Sequence, residues 1–301
     1  MKQWMLLLTV FTVVAAMITG CGPQAASAPA KFVIAYLPQE SDTQTQQTYK
    51  AFETKLSEAI GMPVESYKAT SYNAAIEAMR NNKADIAMFG PFSYIVAVER
   101  AGVEPIVGVT IPAMTESPAS VIIVPKDSPI EKLEDLKGKT FGFVDPVSTT
   151  GHLFPKATLV KKLGLTAEEL DTSFFKSVQF AGKHDNAVIG VVRGQYDAAA
   201  MSAMIPDMLV QRGLIEKDSY RILASSEAMA PVTPLAIRSG IPQETKEKVK
   251  SFLLGYQDPA YFKAVMNSDQ ARFVEVKDSA FDPVRETAKL LHLSPEQLLN
   301  H

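Results

Sequence analysis

The run Asp145-Pro146-Val147-Ser148-Thr149-Thr150-Gly151-His152 sets three adjacent hydroxyl side chains at the end of a strand-like stretch, Lys139-Thr140-Phe141-Gly142-Phe143-Val144. Ser and Thr favour helix N-caps because their oxygens accept from the free N–H groups of the first turn. The remaining N–H groups still need acceptors, and the dipole at a helix start favours negative charge. A strand that runs into Ser-Thr-Thr-Gly at a helix start therefore has two readings. It is a capped helix, or it is a seat for a small oxyanion.

Other chemistries find little support. The four histidines are His152, His184, His292 and His301, and none forms a His-Glu-x-x-His pair. Asp145–Gly151 lacks the Gly-x-x-x-x-Gly-Lys-(Ser/Thr) spacing of a nucleotide loop. No serine sits in a Gly-x-Ser-x-Gly elbow. Cys21 is the single cysteine, which excludes an intrachain disulfide or a Cys-rich metal site. No basic tract footprints nucleic acid. The sequence reading assigns no catalytic residue, no metal ligand and no cofactor.

The elements that must position these groups follow a leader. Lys2 gives a positive start, Met5 to Ile18 is apolar and uncharged, and Ile18-Thr19-Gly20-Cys21 follows. That order describes a secretory signal peptide over residues 1–20. Its cut site resembles a bacterial lipobox, which implies a diacylglyceryl group on Cys21. Gly22 to Ala30 is small and Pro-bearing, so residues 21–30 read as a flexible tether. Lys2 is the only charge before residue 21, so the remaining chain is one unit more acidic than the whole chain's net −3. Any anion is then held by local geometry and not by an overall positive field.

From Lys31 the pattern alternates. Strands are predicted at Lys31–Leu37, Val64–Ala69, Ala84–Gly90 and Val103–Ile111, with helices at Thr43–Ile60, Asn73–Asn82 and from Pro91. The Thr43–Ile60 stripe is Tyr49, Phe52, Leu56, Ala59 and Ile60. Further strands are predicted at Ser120–Val124, Phe141–Val144, Phe174–Phe180, Tyr196–Met201, Arg221–Ala224 and Leu235–Ile237. Leu133–Lys137 reads as one helical turn. Pro155 cannot sit deep in a helix, so a short turn after Ser148 should give way to a second helix ending before Gly164. His184–Arg193 is helical. From Pro242 onward helices predominate, interrupted at Asp258-Pro259 and Asp282-Pro283. Alternating strands and helices argue for mostly parallel sheets flanked by helices. One unit occurs twice: Ile76–Arg80 followed by Asp85–Phe89, and Ile189–Arg193 followed by Asp197–Met201. Each is a helix, a polar turn, an aspartate and a buried strand, as expected of two similar α/β lobes.

The chain resembles the solute-binding lipoproteins of phosphonate, phosphite and related ABC importers, from about Lys31 to Arg238. The carrying segments are Ala69–Ile76, Asn82–Ala87, Val124–Ile130, Asp145–Gly151 with Pro155, and Ala181–Asp185. The resemblance implies an α/β type II periplasmic-binding-protein fold of two lobes with a ligand cleft between them. Lobe 1 would be residues 31–118 and 231–301, lobe 2 residues 119–230, with crossovers near Ser117-Pro118 and Ala230-Pro231. It implies oxyanion contacts from Ser148, Thr149, Thr150 and Gly151, a donor at His184, and a phenol at Tyr72 from the opposite lobe. Phe89, with Ser93 nearby, would close on the ligand. The family's binders have a tyrosine where this chain has Pro118 or Ala119, an aspartate where it has Thr233, and an amine-binding acid near Met204. These departures disfavour an aminoalkylphosphonate and favour phosphite, phosphate or a simple phosphonate, with Thr233 donating in place of the acid.

The resulting expectation is a monomeric, membrane-anchored extracytoplasmic lipoprotein that hands a small oxyanion to an ABC permease. Two alternatives stay open: an oxyanion sensor signalling to a membrane kinase, and a catalyst on the same fold.

Overall fold

In the computed structural model the described residues are 31–38, 43–115, 117–227 and 232–298. The leader, the tether with Cys21, and the expected crossover at Ala230-Pro231 lie outside them.

The short apolar runs pair into two separate sheets. The first contains β1 (Phe32–Tyr36), β2 (Val64–Lys68), β3 (Ile86–Met88), β4 (Val103–Thr110), β10 (Thr233–Arg238) and β11 (Arg272–Val274), in the order β11-β4-β10-β3-β1-β2. The second contains β5 (Ser120–Pro125), β6 (Thr140–Phe143), β7 (Ser177–Phe180), β8 (Ala198–Ser202) and β9 (Tyr220–Ser225), in the order β7-β6-β8-β5-β9. Both sheets are mixed: four of the six strands in the first and four of the five in the second run in one direction. β1 runs parallel to β2 and β3, and β6 to β7 and β8. β10 and β11 pair antiparallel in the first sheet, and β5 pairs antiparallel with β8 and β9 in the second. The parallel strands are those joined by a crossover helix, as parallel pairing requires. β5 and β10 instead follow strands of the other sheet, and each enters in the opposite sense.

The helices are α1 (Thr43–Ile60), α2 (Tyr72–Arg80), α3 (Pro91–Ala101), α4 (Phe154–Leu163), α5 (Ala167–Glu169), α6 (His184–Val192), α7 (Ile205–Gln211), α8 (Gln243–Gly255), α9 (Pro259–Met266), α10 (Asp282–Leu290) and α11 (Pro295–Leu298). α1 has the predicted bounds. Its Tyr49, Phe52, Leu56 and Ile60 are buried in one cluster with Phe32 and Ile34 of β1. Full burial of such a side chain contributes about 1.5–3 kcal/mol. Ala59, expected on that stripe, is exposed.

Other boundaries moved for identifiable reasons. Phe174 belongs to a π-helical turn, Leu170–Phe174, and not to the strand that starts at Ser177. Asp258 does interrupt the C-terminal helices, by capping α9 through the N–H groups of Ala260 and Tyr261. Pro283 falls in the first turn of α10, where its missing N–H costs nothing. α7 and the edge strand β11 had no strong periodicity to announce them.

The repeated unit has a shared physical basis. The Asp85 N–H donates to the Val33 carbonyl of β1 (2.8 Å), while the Asp85 carboxylate accepts the Val33 N–H (2.7 Å). The Asp197 N–H donates to the Thr140 carbonyl of β6 (3.1 Å), and its carboxylate accepts the Thr140 N–H (2.7 Å). In each sheet an aspartate before an inner strand thus clamps the first residues of its neighbour.

Candidate functional site

β6 delivers the chain into the site. Phe141 and Phe143 anchor it in the apolar cluster of the second sheet. The turn that follows is fixed by Asp145, whose carboxylate accepts the Val147 N–H at 3.0 Å and whose carbonyl accepts the Ser148 N–H at 2.9 Å. Ser148 then caps a π-helical turn, Thr149–Leu153, by accepting the Gly151 N–H at 3.1 Å. Pro155 explains the wider turn. It has no N–H to give the carbonyl four residues back, that of Gly151. The freed Gly151 carbonyl accepts the Val144 N–H instead, at 3.0 Å. A Cβ on Gly151 would meet Val144 at 2.3 Å, so glycine is required there for packing.

His152 and His184 are held in opposite tautomers. His152 Nδ1 lies 2.8 Å from the Pro146 carbonyl, which can only accept, so Nδ1 carries the proton. Its ring is edge-on to Phe143 and Phe180, and burial, then the Lys156 charge, lowers its pKa to about 3. His152 is a neutral structural group. His184 Nδ1 accepts the Ser202 N–H at 3.1 Å, so its proton sits on Nε2. The ring keeps some exposure toward the cavity, yet desolvation pushes its pKa down to about 4. It is therefore a neutral donor at pH 7.

A cavity of about 480 Å³ lies where the two sheets' elements meet. Tyr72, Phe89, Ser148, Thr149, Thr150, His184 and Thr233 all line it, together with Pro118, Ala119 and Met204. Gly151 is not among the lining residues, and its N–H is already engaged by Ser148. Ser93 is also outside the lining; it is buried and donates to the Gly90 carbonyl at 3.1 Å. The starts of α2, α3 and α6 line the cavity, as does the turn that leads into α4. The leading N–H groups at each start have no intrahelical acceptor, and each start carries partial positive charge. Among the described residues no lysine or arginine lines the cavity, and Asp185 is the one acid that does.

The two halves touch here. The Thr149 hydroxyl accepts the Phe92 N–H of α3 at 2.8 Å. Gly90 permits the approach, since a Cβ there would stand 2.6 Å from Thr149 Oγ1. Tyr72 is buried at the head of α2, with Ser148 beside its phenol. Burial, then the nearby Asp145, raises the Tyr72 pKa, so the phenol keeps its proton. Burial likewise raises the pKa of Asp145, against the N–H groups of Val147 and Tyr72 that lower it.

Sequence reasoning passed over Asp185, Ser202, Met114 and Met208, which also border the cavity. Asp185 was legible only as the residue after His184, and Ser202, eighteen positions away, meets His184 only through the fold. The methionines carry no signal that separates a cavity wall from a core.

The chain is similar in sequence and fold to known proteins. The sequence pattern of the family described as "ABC transporter, phosphonate, periplasmic substrate-binding protein" matches residues 34–281. The phosphonates-binding periplasmic protein of Escherichia coli (strain K12) is 32% identical over 257 residues, covering 82% of this chain and 73% of that protein. The phosphate-import protein PhnD of Mycolicibacterium smegmatis is 29% identical, over 76% of this chain and 74% of its own length. In fold, the chain is similar to PhnD1 from Prochlorococcus marinus, solved in complex with methylphosphonate, with a TM-score of 0.74 at 18% identity. That likeness covers 87% of this chain and 98% of the other.

Proposed function

The chain belongs to the ABC-transporter phosphonate periplasmic substrate-binding protein family, and from that premise we propose that it binds a phosphorus oxyanion in the cavity between its two sheets and delivers it to a membrane permease. The observation that carries this reading is the convergence of helix starts and hydroxyls on a cavity that, among the described residues, has no cationic side chain in its lining. Backbone N–H groups at helix starts are suited to tetrahedral oxyanions. The Thr149 and Thr150 N–H groups, the hydroxyls of Ser148 and Thr150, the Tyr72 phenol and His184 Nε2 are the proposed donors. Hydrogen bonds to an ionised acceptor are stronger than neutral ones, so several together offset the anion's desolvation.

In the proposed cycle the Ser148–Thr150 turn takes the anion first. The lobe built on the first sheet then brings Tyr72 and the start of α3 against it. The chain is proposed to cross between the lobes near Ser117-Pro118 and Ala230-Pro231. A diacylglyceryl group on Cys21 is proposed to hold the protein at the outer face of the membrane.

Calorimetry with phosphate, phosphite, methylphosphonate, sulfate and a neutral amino acid tests the reading. Binding of at least one phosphorus oxyanion below about 10 μM, with the amino acid silent, is the expected result. Tight binding of the amino acid with no response to any phosphorus compound would overturn it.

A further inference from the structure

The cavity is larger and more apolar than a bare oxyanion requires. A water molecule takes about 30 Å³ of liquid, and phosphate has only five heavy atoms. The cavity's 480 Å³ falls in the ~300–1,000 Å³ range of pockets that enclose whole organic ligands. The excess lies on one side. Besides the donors, the wall includes Ile34 of β1, Phe52 of α1, Met88 of β3, Met114, and Tyr261 and Met266 of α9. All six belong to or pack against the apolar cluster between the first sheet and α1, α8 and α9, whereas Tyr72 and Phe89 belong to a different cluster. The cavity therefore reaches from the donor end into a second, apolar compartment.

We infer that the physiological ligand is a phosphonate whose carbon substituent is apolar and several carbons long, with the phosphonate at the hydroxyl turn and the substituent in the compartment walled by Met88, Met114 and Met266. This rests on the oxyanion reading of the donor end. Phosphate and phosphite have no group to place there. An aminoalkyl tail would need a carboxylate, and among the described residues the one acidic side chain in the lining, Asp185, adjoins His184 at the donor end. Met204 lines the wall as well, and methionine's flexible thioether adapts to alkyl groups of varied shape.

The test is calorimetry with methyl-, propyl-, hexyl- and phenylphosphonate beside 2-aminoethylphosphonate and phosphate. Affinity should rise roughly threefold to fourfold per added methylene until the compartment is full. The near-isosteric variants Met88→Gln and Met114→Gln should each reduce that slope by at least half. Methylphosphonate or phosphate binding as tightly as hexylphosphonate would overturn the inference and leave the oxyanion reading standing. A slope unchanged in both variants would place the chain elsewhere and also overturn it. Silence from every phosphorus compound would remove the oxyanion reading itself, and the inference with it.

Discussion

The hydroxyl of Thr149, in the turn after β6, accepts the backbone N–H of Phe92, at the start of α3, across 2.8 Å. α3 begins at Gly90-Pro91 and has no side-chain cap of its own. One half of the molecule therefore caps a helix of the other. Thr149→Ala should cost about 1 kcal/mol of stability, the usual worth of such a bond. It should also weaken phosphonate binding by at least about tenfold, because the turn is no longer registered against α3. Thr149→Ser keeps the oxygen and should stay within about threefold of the parent in affinity. Equal affinities for the alanine variant and the parent, measured by calorimetry, would rule this out.

The paired clamps make a second, graded expectation. Asp85 is buried and also pairs with Arg238 at 2.5 Å. Asp85→Ala leaves the Val33 N–H without its acceptor and the partly buried Arg238 guanidinium without its counter-charge, with only the Ala84 carbonyl and Asn82 Oδ1 still accepting from it, a loss of about 3–5 kcal/mol. Asp197→Ala removes the acceptor of the Thr140 N–H and hydroxyl, which costs about 1–3 kcal/mol. Urea titrations should rank Asp85→Ala as the more damaging. The reverse ranking would show that the two clamps differ in a way their geometry does not reveal.

His152 and His184 both tie stability to acid. The folded-state pKa values, about 4 for His184 and about 3 for His152, lie below the value of about 6.5 expected when unfolded. Between those limits the unfolded chain binds more protons, so stability rises with pH. The contribution is complete above about pH 6.5 and is lost as pH falls through the folded values. His152→Phe suits the neighbouring Phe143 and Phe180 rings and removes one of the two titrations. Its urea midpoint should vary less between about pH 6 and pH 4 than that of the parent; an equal dependence would contradict the assignment.

Salt offers a cheap discriminator. Exposed charges are screened over about 10 Å at 0.1 M ionic strength. With no lysine or arginine lining the cavity among the described residues and a net charge of −3, screening has little attractive field to act on. The dissociation constant of methylphosphonate should change by less than about twofold between roughly 0.02 M and 0.5 M NaCl. A tenfold weakening would reveal a cation acting on the ligand.

The sequence carried the element order and the hydroxyl turn because both are local. Ser148 caps, Gly164 ends α4 in a left-handed conformation, and α1 keeps its apolar stripe; each follows from residues within a few positions of one another. The features it withheld are non-local. β11 is three residues long and exists because Arg272 to Val274 find the edge of β4. The π-helical turn depends on Val144 taking the carbonyl that Pro155 leaves unused. The apolar compartment joins β1, β3, α1 and α9, and no spacing in the chain distinguishes its wall from an ordinary core.

A lysine would carry its charge into every conformation of the protein. The positive potential facing the cavity comes instead from separate helix starts on two sheets, and dipoles of that kind add only while they point at one spot. On the proposed function, affinity then depends on the relative orientation of the two sheets, so opening the cavity would weaken binding without any change in the protein's charge.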